Sequence, residues 1–469
     1  MTPPAQRRRP PVRGKSFKGS PRPISDPPRA VALEVLRGVD ERDSYANLLL
    51  ATVLERTGLQ GRDAAFATEL SAGTLRMRGL YDAVLATLVG RPLADLDPAV
   101  LDVLRLGSHQ ILSMRVPSHA AVSTSVDLVR ATVGPRPAGL VNAVLRKVAA
   151  RDLDAWVGQV VPEGADRLER LAVRHSHPRW IVDGLDAALG SDGAADELPA
   201  LLAADNTVGA ATLVARPGLA EPAELLVDGA RPGVLSPWAV RLDGGNPADV
   251  PAVRERRAGV QDEGSQVVAL LLAETPITGP DARWLDLCAG PGGKAALLGA
   301  LAAQRDASLV ANEVQPHRAE LVRQAVAHLP SVAVTVEDGR TPSWQPGTFD
   351  RVLVDAPCTG LGALRRRPEA RWRRKPEDLH GLVRLQRELL LSALDSVRAG
   401  GIVVYATCSP LVEETREVVE HAAAQRPVRL QRPAELPADA RLAGDYLQLW
   451  PHRHDTDAMF AAVLRRLPE

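Results

Sequence analysis

Three cysteines in 469 residues, Cys288, Cys358 and Cys408, stand far apart in the chain with no CxxC spacing. Neither a disulfide framework nor a zinc site is built that way, and a reducing compartment is expected. No apolar run approaches the roughly 18 residues of a membrane span, and no apolar core follows the early arginines. The expectation is a soluble cytoplasmic protein with no membrane contact and no metal. Aromatic residues are only 3% of the chain, against abundant Ala, Arg, Pro, Val and Leu, a bias of composition before function. Net charge is zero, with 57 Lys and Arg against 57 Asp and Glu. That excludes a wholly basic nucleic-acid coat, although a zero sum conceals local basic runs. No coiled-coil repeat is visible, and a monomer is expected.

What is present divides into segments, since the length exceeds what one core organises. Residues 1–28 carry Arg7-Arg-Arg9, Arg13, Lys15, Lys18 and Arg22 among prolines and read as a disordered basic tail. From 29 to 150 apolar residues recur at helical spacing, as in Val100-Leu-Asp-Val-Leu-Arg-Leu106, which predicts an all-α domain. Asp95 or Asp97 is expected to cap the helix that Pro98 opens, and Gly107 to mark close packing. His109 and Asn142 read as satisfied polar groups on helices. Residues 151–260 predict a helical connector over 168–185, interrupted at Pro178. A small α+β insert follows, with strands over 209–215 and 233–237 around a helix at 222–226. His175 and His177 have no Cys or acidic cluster beside them, so no metal role is expected. Residues 261–469 form the last domain, entered by a helix that Gln261–Gln266 caps.

That domain reads as a mostly parallel, Rossmann-like α/β sheet. Trp284-Leu-Asp-Leu-Cys-Ala-Gly-Pro-Gly-Gly-Lys294 is a buried strand breaking into a glycine-rich turn and a helix. Its spacing is neither GxGxxG nor a Walker loop, so phosphate cradling is the weaker reading. The next strand, Ser308–Glu313, ends on an acid suited to ribose hydroxyls, and Val332–Val336 leads to Glu337-Asp338, suited to an adenine amino group. Phe349-Asp-Arg-Val-Leu-Val-Asp355 runs straight into Ala356-Pro-Cys358, and Gly400-Gly-Ile-Val-Val-Tyr-Ala-Thr-Cys408 likewise delivers a thiol at a strand end. Read alone, the first of these nominates Cys358 for nucleophilic attack; read together, the two thiols converge on one site. Between them Leu364-Arg-Arg-Arg-Pro-Glu-Ala-Arg-Trp-Arg-Arg-Lys375 reads as a loop. It is either a solvated face or a phosphate clamp in which Arg365, Arg366 and Arg367 meet RNA and Trp372 stacks on a base.

The phrases Leu285–Lys294, Val354–Gly360 and Tyr405–Pro410, in that order, resemble the Sun (NSUN) family of RNA 5-methylcytosine methyltransferases. Ala64–Arg76, Leu104–Leu112 and Gly139–Arg146 resemble the NusB family of RNA-binding helical domains. The resemblance implies an S-adenosylmethionine-dependent enzyme acting on 16S ribosomal RNA, unassembled or partly folded. It implies cofactor binding by Cys288, Ala289, Gly290, Pro291, Gly292, Gly293 and Lys294, with Glu313, Asp338 and Asp355. It also assigns attack to Cys408 and product release to Cys358, with Asp355 holding the base. Two departures stand out: Gly290 where the family often has Ala, and His454-Asp-Thr-Asp-Ala-Met-Phe460 in place of the more usual Asp-Gly-Phe-Phe.

Such chemistry needs a Cys408 thiolate, whose pKa is expected to be lowered. The competing readings are the same reaction on transfer RNA or 23S ribosomal RNA, a DNA cytosine methyltransferase, and a non-catalytic RNA-binding or antitermination protein.

Overall fold

The computed structural model describes residues 26–42, 44–432, 442–443 (backbone only) and 445–468. Most of the expected basic tail therefore lies outside the described residues, and Pro27 already opens the first helix, Pro27–Arg42. Helices follow one another to Ala138–Val148 with no strand between them. Asp97, not Asp95, caps the helix Pro98–Leu112, accepting from the backbone N–H groups of Ala99 and Val100. On that helix a Cβ at Gly107 would come within 2.5 Å of the Leu145 side chain, so glycine lets two helices touch. The helix Leu153–Val160 joins the same apolar core, which therefore runs past residue 150, and the Trp156 indole donates to Val148 O at 2.9 Å.

The connector forms helices Arg167–Arg174 and Arg179–Ser191, broken before Pro178 as Pro requires. The insert is a four-stranded antiparallel sheet of β1 (Ala211–Ala215), β2 (Ala230–Pro232), β3 (Ala239–Leu242) and β4 (Ala258–Val260) in the order β2-β3-β1-β4. The strand expected over 233–237 is absent. There the N–H groups of Leu235 and Ser236 donate to the buried Glu263 carboxylate instead of a neighbouring strand. The helix expected at 222–226 is one 3-10 turn, Pro222–Leu225.

In the last domain β5 (Arg283–Asp286), β6 (Ser308–Asn312), β7 (Val332–Thr335), β8 (Phe349–Asp355) and β9 (Val397–Thr407) run parallel. They lie in the order β7-β6-β5-β8-β9. β10 (Val428–Gln431), β11 (Leu442–Ala443), β12 (Tyr446–Gln448) and β13 (Phe460–Arg466) extend the sheet, with β13 antiparallel to β9. Helices Glu263–Glu274 and Gly293–Ala303 cover one face, and Pro376–Ser396 packs Leu389, Leu390, Ala393 and Leu394 on the other. Burial on both faces explains why Val352–Val354 of β8 and Ile402–Ala406 of β9 are continuously apolar rather than alternating. The chain leaves β5 outward to β6 and β7, then crosses back to β8, so the topological switch lies between β5 and β8. Ligands of such sheets gather beyond the carboxyl ends of the strands at that point. Among the described residues no helix is long and apolar enough to cross a membrane.

Candidate active site

Asp286 ends β5 and Asp355 ends β8, the neighbouring strand at the switch point, with Asp286 in register with Leu353, two residues before Asp355. After Asp286 the chain turns through Cys288–Gly292, and Gly292, at φ +110°, precedes the helix Gly293–Ala303 with no side chain capping its first N–H groups. A Cβ at Gly293 would meet nothing closer than 4.0 Å, which leaves open space over the helix start. Glu313, directly after β6, accepts from Gly290 N–H at 3.1 Å and from Gln315 N–H at 2.9 Å. A Cβ on residue 290 would run into that carboxylate, which accounts for glycine here as long as Glu313 holds this position. Asp338, beyond β7, is held by the Arg340 guanidinium, which keeps its carboxyl below the usual range.

Lys294 donates to Asp355 at 2.9 Å across the switch point. Burial works to lower the lysine pKa, but the Asp355 charge outweighs it and the ammonium is held above its usual range. Beneath them Asp286 is wholly buried, and no hydrogen bond to a side chain satisfies its oxygens. Burial, with the Asp355 charge adding and Lys294 opposing, pushes its carboxyl up to about 8. Asp286 was missing from the sequence reading, although a strand ending Leu-Asp-Leu ahead of glycines offered the signal.

The two thiols meet: the Cys358 and Cys408 sulfurs are 3.5 Å apart. Their hydrogen bond separates their acidities. The Cys408 pKa falls below its ordinary value, first through its hydrogen bond with Cys358, with Lys294 assisting against burial and Asp355. Cys358 rises well above its own, through that same bond and burial. The 3.5 Å contact admits either sulfur as donor, and the opposite directions of the two shifts favour thiolate character on Cys408 over Cys358. Cys288, at the start of the glycine turn, is pushed up by burial and by the surrounding carboxylates.

The Arg365–Lys375 run is neither a solvated face nor an open clamp. Arg365 is buried and donates to Asp455 Oδ1 at 2.7 Å. Trp372 is half-buried, and its indole N–H donates to Leu75 O at 2.7 Å while its ring fills the space where a Cβ on Gly79 would stand. Neither is available to RNA, because both are spent on packing. Arg371, with no side-chain exposure, donates to Arg76 O, Ser176 O, Asn206 Oδ1 and Asp205 O, tying the helical domain and connector to the sheet domain. Of the predicted RNA contacts, Arg366 pairs with Asp457 and retains partial exposure, and Arg367 is exposed over the Tyr45 ring. Asp457 lies next to Ala458, whose N–H donates to Gly362 O, while Gly362 N–H donates to Cys408 O. The Arg366–Asp457 pair is thereby stitched to the Cys408 turn. Among the described residues no group of three or more His, Cys, Asp or Glu is placed to hold a metal.

The uncapped helix start, the positive-φ Gly292 and the acids after β6 and β7 fit S-adenosylmethionine: backbone donors for its carboxylate, and carboxylates for ribose and adenine.

Residues 276–465 match the family described as 16S rRNA methyltransferase RsmB/F, and residues 26–150 match the NusB family. A ribosomal RNA small subunit methyltransferase B of Vibrio cholerae is 30% identical, over 93% of this chain and 96% of that one. A Mycobacterium tuberculosis protein, named no more closely than a methyltransferase, is 51% identical over 95% of this chain and 98% of its own. The crystal structure of PH0851 superposes with a TM-score of 0.77 over 96% of this chain and 100% of that one, at 24% identity. That of NSun6 from Pyrococcus horikoshii with SFG does so at 0.52, over 61% and 98%, at 17% identity. These two likenesses bear on fold alone. A NusB domain followed by a Rossmann-like sheet, matched along nearly its full length, means that the chain belongs to the RsmB/F (Sun) family of S-adenosylmethionine-dependent RNA methyltransferases.

Proposed function

We propose that the chain methylates carbon 5 of a cytosine in 16S ribosomal RNA through a covalent bond between Cys408 and carbon 6 of the base. The observation that carries this reading is the pair of sulfurs 3.5 Å apart at neighbouring strand ends, with Lys294 favouring the thiolate of Cys408. Carbon 5 of cytosine is a poor nucleophile, and addition of the Cys408 thiolate to carbon 6 turns it into the nucleophilic end of an enamine. S-adenosylmethionine, when bound, supplies the electrophilic methyl group; we assign its binding to residues 288–294, Glu313 and Asp338, with Asp355 at the border between cofactor and base.

We assign Asp355, to which Lys294 donates, the role of accepting from the base's amino group. Once Cys408 is alkylated it no longer shares the Cys358 proton, which passes to solvent. The Cys358 thiolate then takes the proton on carbon 5. That bonding pair restores the carbon 5–carbon 6 double bond as the carbon–sulfur bond breaks, returning Cys408 as thiolate and Cys358 as thiol. A base must leave its stack to enter, which favours a loop or partly folded RNA in the cytoplasm. Exposed Arg367 and half-exposed Arg366 would contact its phosphates.

Methylation mapping of ribosomal and transfer RNA from a deletion strain tests the substrate. The expected result is loss of a 5-methylcytosine in 16S RNA, restored by wild-type protein but not by Cys408→Ala. Loss confined to transfer or 23S RNA would overturn the assignment.

A further inference from the structure

Glu414 lies outside every motif discussed so far, yet it is completely buried directly behind the Cys358 turn. Its carboxylate accepts from Thr359 N–H at 2.8 Å, from the Thr359 hydroxyl at 2.5 Å and from the Gln386 amide at 2.9 Å. The same Gln386 amide also donates to Pro357 O at 2.9 Å. Both neighbours of Cys358 are thus gripped by one carboxylate and its amide partner. The Thr359 hydroxyl lies 3.2 Å from that of Ser409, which follows Cys408 directly. With the Thr359 proton given to Glu414, Ser409 is the donor in that contact, and the chain Ser409–Thr359–Glu414 joins the two thiol-bearing turns. Behind Glu414, the Tyr405 hydroxyl of β9 donates to its carbonyl at 2.7 Å.

All of these donors are neutral. Burying a carboxylate without a cation is costly, and hydrogen bonds from neutral groups repay only part of it. Both oxygens are used, Oε1 by the Thr359 N–H and the Gln386 amide and Oε2 by the Thr359 hydroxyl, and a glutamine would offer only one such acceptor. Among the groups facing the Cys358 sulfur, the Glu414 and Asp355 charges both oppose loss of its proton, while Lys294 assists ionisation of Cys408.

We propose that Glu414 is a positioning residue for Cys358: through Thr359 and Gln386 it fixes the Pro357–Thr359 turn so that the Cys358 sulfur stays within proton-transfer reach of the Cys408 adduct. This rests on the reading that Cys408 attacks and Cys358 resolves.

The test uses the full-length protein with S-adenosylmethionine and an in vitro transcript of 16S RNA. Covalent RNA adduct, its decay and methyl transfer in a single turnover are followed for wild type, Cys358→Ala, Glu414→Gln and Thr359→Val. Displacement of a reacting group by about 1 Å can cost on the order of 100-fold in rate. For Glu414→Gln, adduct decay is expected to slow by about tenfold or more while adduct formation changes less than about threefold. With the negative charge gone, Cys358 loses its proton more readily, so the pH dependence of adduct decay moves to lower pH. Thr359→Val, which removes one hydroxyl and leaves the carboxylate, slows decay less and leaves that pH dependence in place. Adding Glu414→Gln to Cys358→Ala produces no further slowing. The proposal is overturned if Glu414→Gln clears adduct at the wild-type rate and pH dependence, or if it loses adduct formation and cofactor binding together with turnover. A Cys358→Ala variant that accumulates no adduct would instead overturn the two-cysteine reading itself.

Discussion

The strand ends around Lys294 and the strap over Arg365–Lys375 are both dense in charge, and they use it in opposite ways. At the strand ends, Asp286, Lys294, Asp355 and the two thiols are grouped so that each changes its neighbours' proton affinity. In the strap, Arg371 and Arg373 donate to backbone carbonyls of other segments and Trp372 fills a gap in the helical domain. The first arrangement sets up chemistry, and the second is architecture. They touch at Arg374, which donates to Thr359 O at 3.1 Å, so the strap that docks the helical domain also braces the Cys358 turn.

Substitutions can sharpen that contrast. The largest effect is expected from Arg371→Ala, which leaves four acceptors without their donor and takes from the buried Asp205 the larger of its two cationic influences, and should cost about 3–5 kcal/mol in urea unfolding. A loss below about 1 kcal/mol would return the strap to the category of a surface run. Lys294→Met should lower turnover about 100-fold at neutral pH with little change in fold. Removal of this cation makes the Cys408 thiolate harder to form, so the acid limb of the pH–rate profile moves to higher pH; an unmoved limb would sever Lys294 from the thiol. Trp372→Ala, half-buried, should destabilise by about 2 kcal/mol, less than a fully buried tryptophan. Arg367→Ala should leave stability within about 0.5 kcal/mol and lower the salt dependence of RNA binding by roughly one phosphate contact.

The contrast also explains what the sequence could reveal. Caps and strand ends are local: Asp97 before Pro98, Asp262 before its helix, glycines after β5 and Pro-Cys after β8 all fall where a single strand or turn dictates them. The last partners are not local. Arg371 has the same neighbours in sequence whether it faces water or four carbonyls, and only tertiary contact decides. Arg241 on β3 is buried between Glu263 and Asp455, and a four-residue strand that carries an arginine does not read as core from sequence. Glu414 sits next to Glu413 as one of two acids after a short apolar stretch, and its partners Thr359 and Gln386 come from other segments. The choice between Cys358 and Cys408 has the same character. Each follows a strand near a proline, and what separates them is the charge around each, Lys294 by Cys408 and Glu414 by Cys358, supplied by other segments.

That asymmetry is tested most directly by denaturing electrophoresis of protein incubated with substrate RNA and S-adenosylmethionine. Cys358→Ala should accumulate an RNA-linked band that wild type clears, and Cys408→Ala should show neither the band nor methyl transfer. An adduct trapped by Cys408→Ala and absent from Cys358→Ala would reverse the two roles and contradict the account.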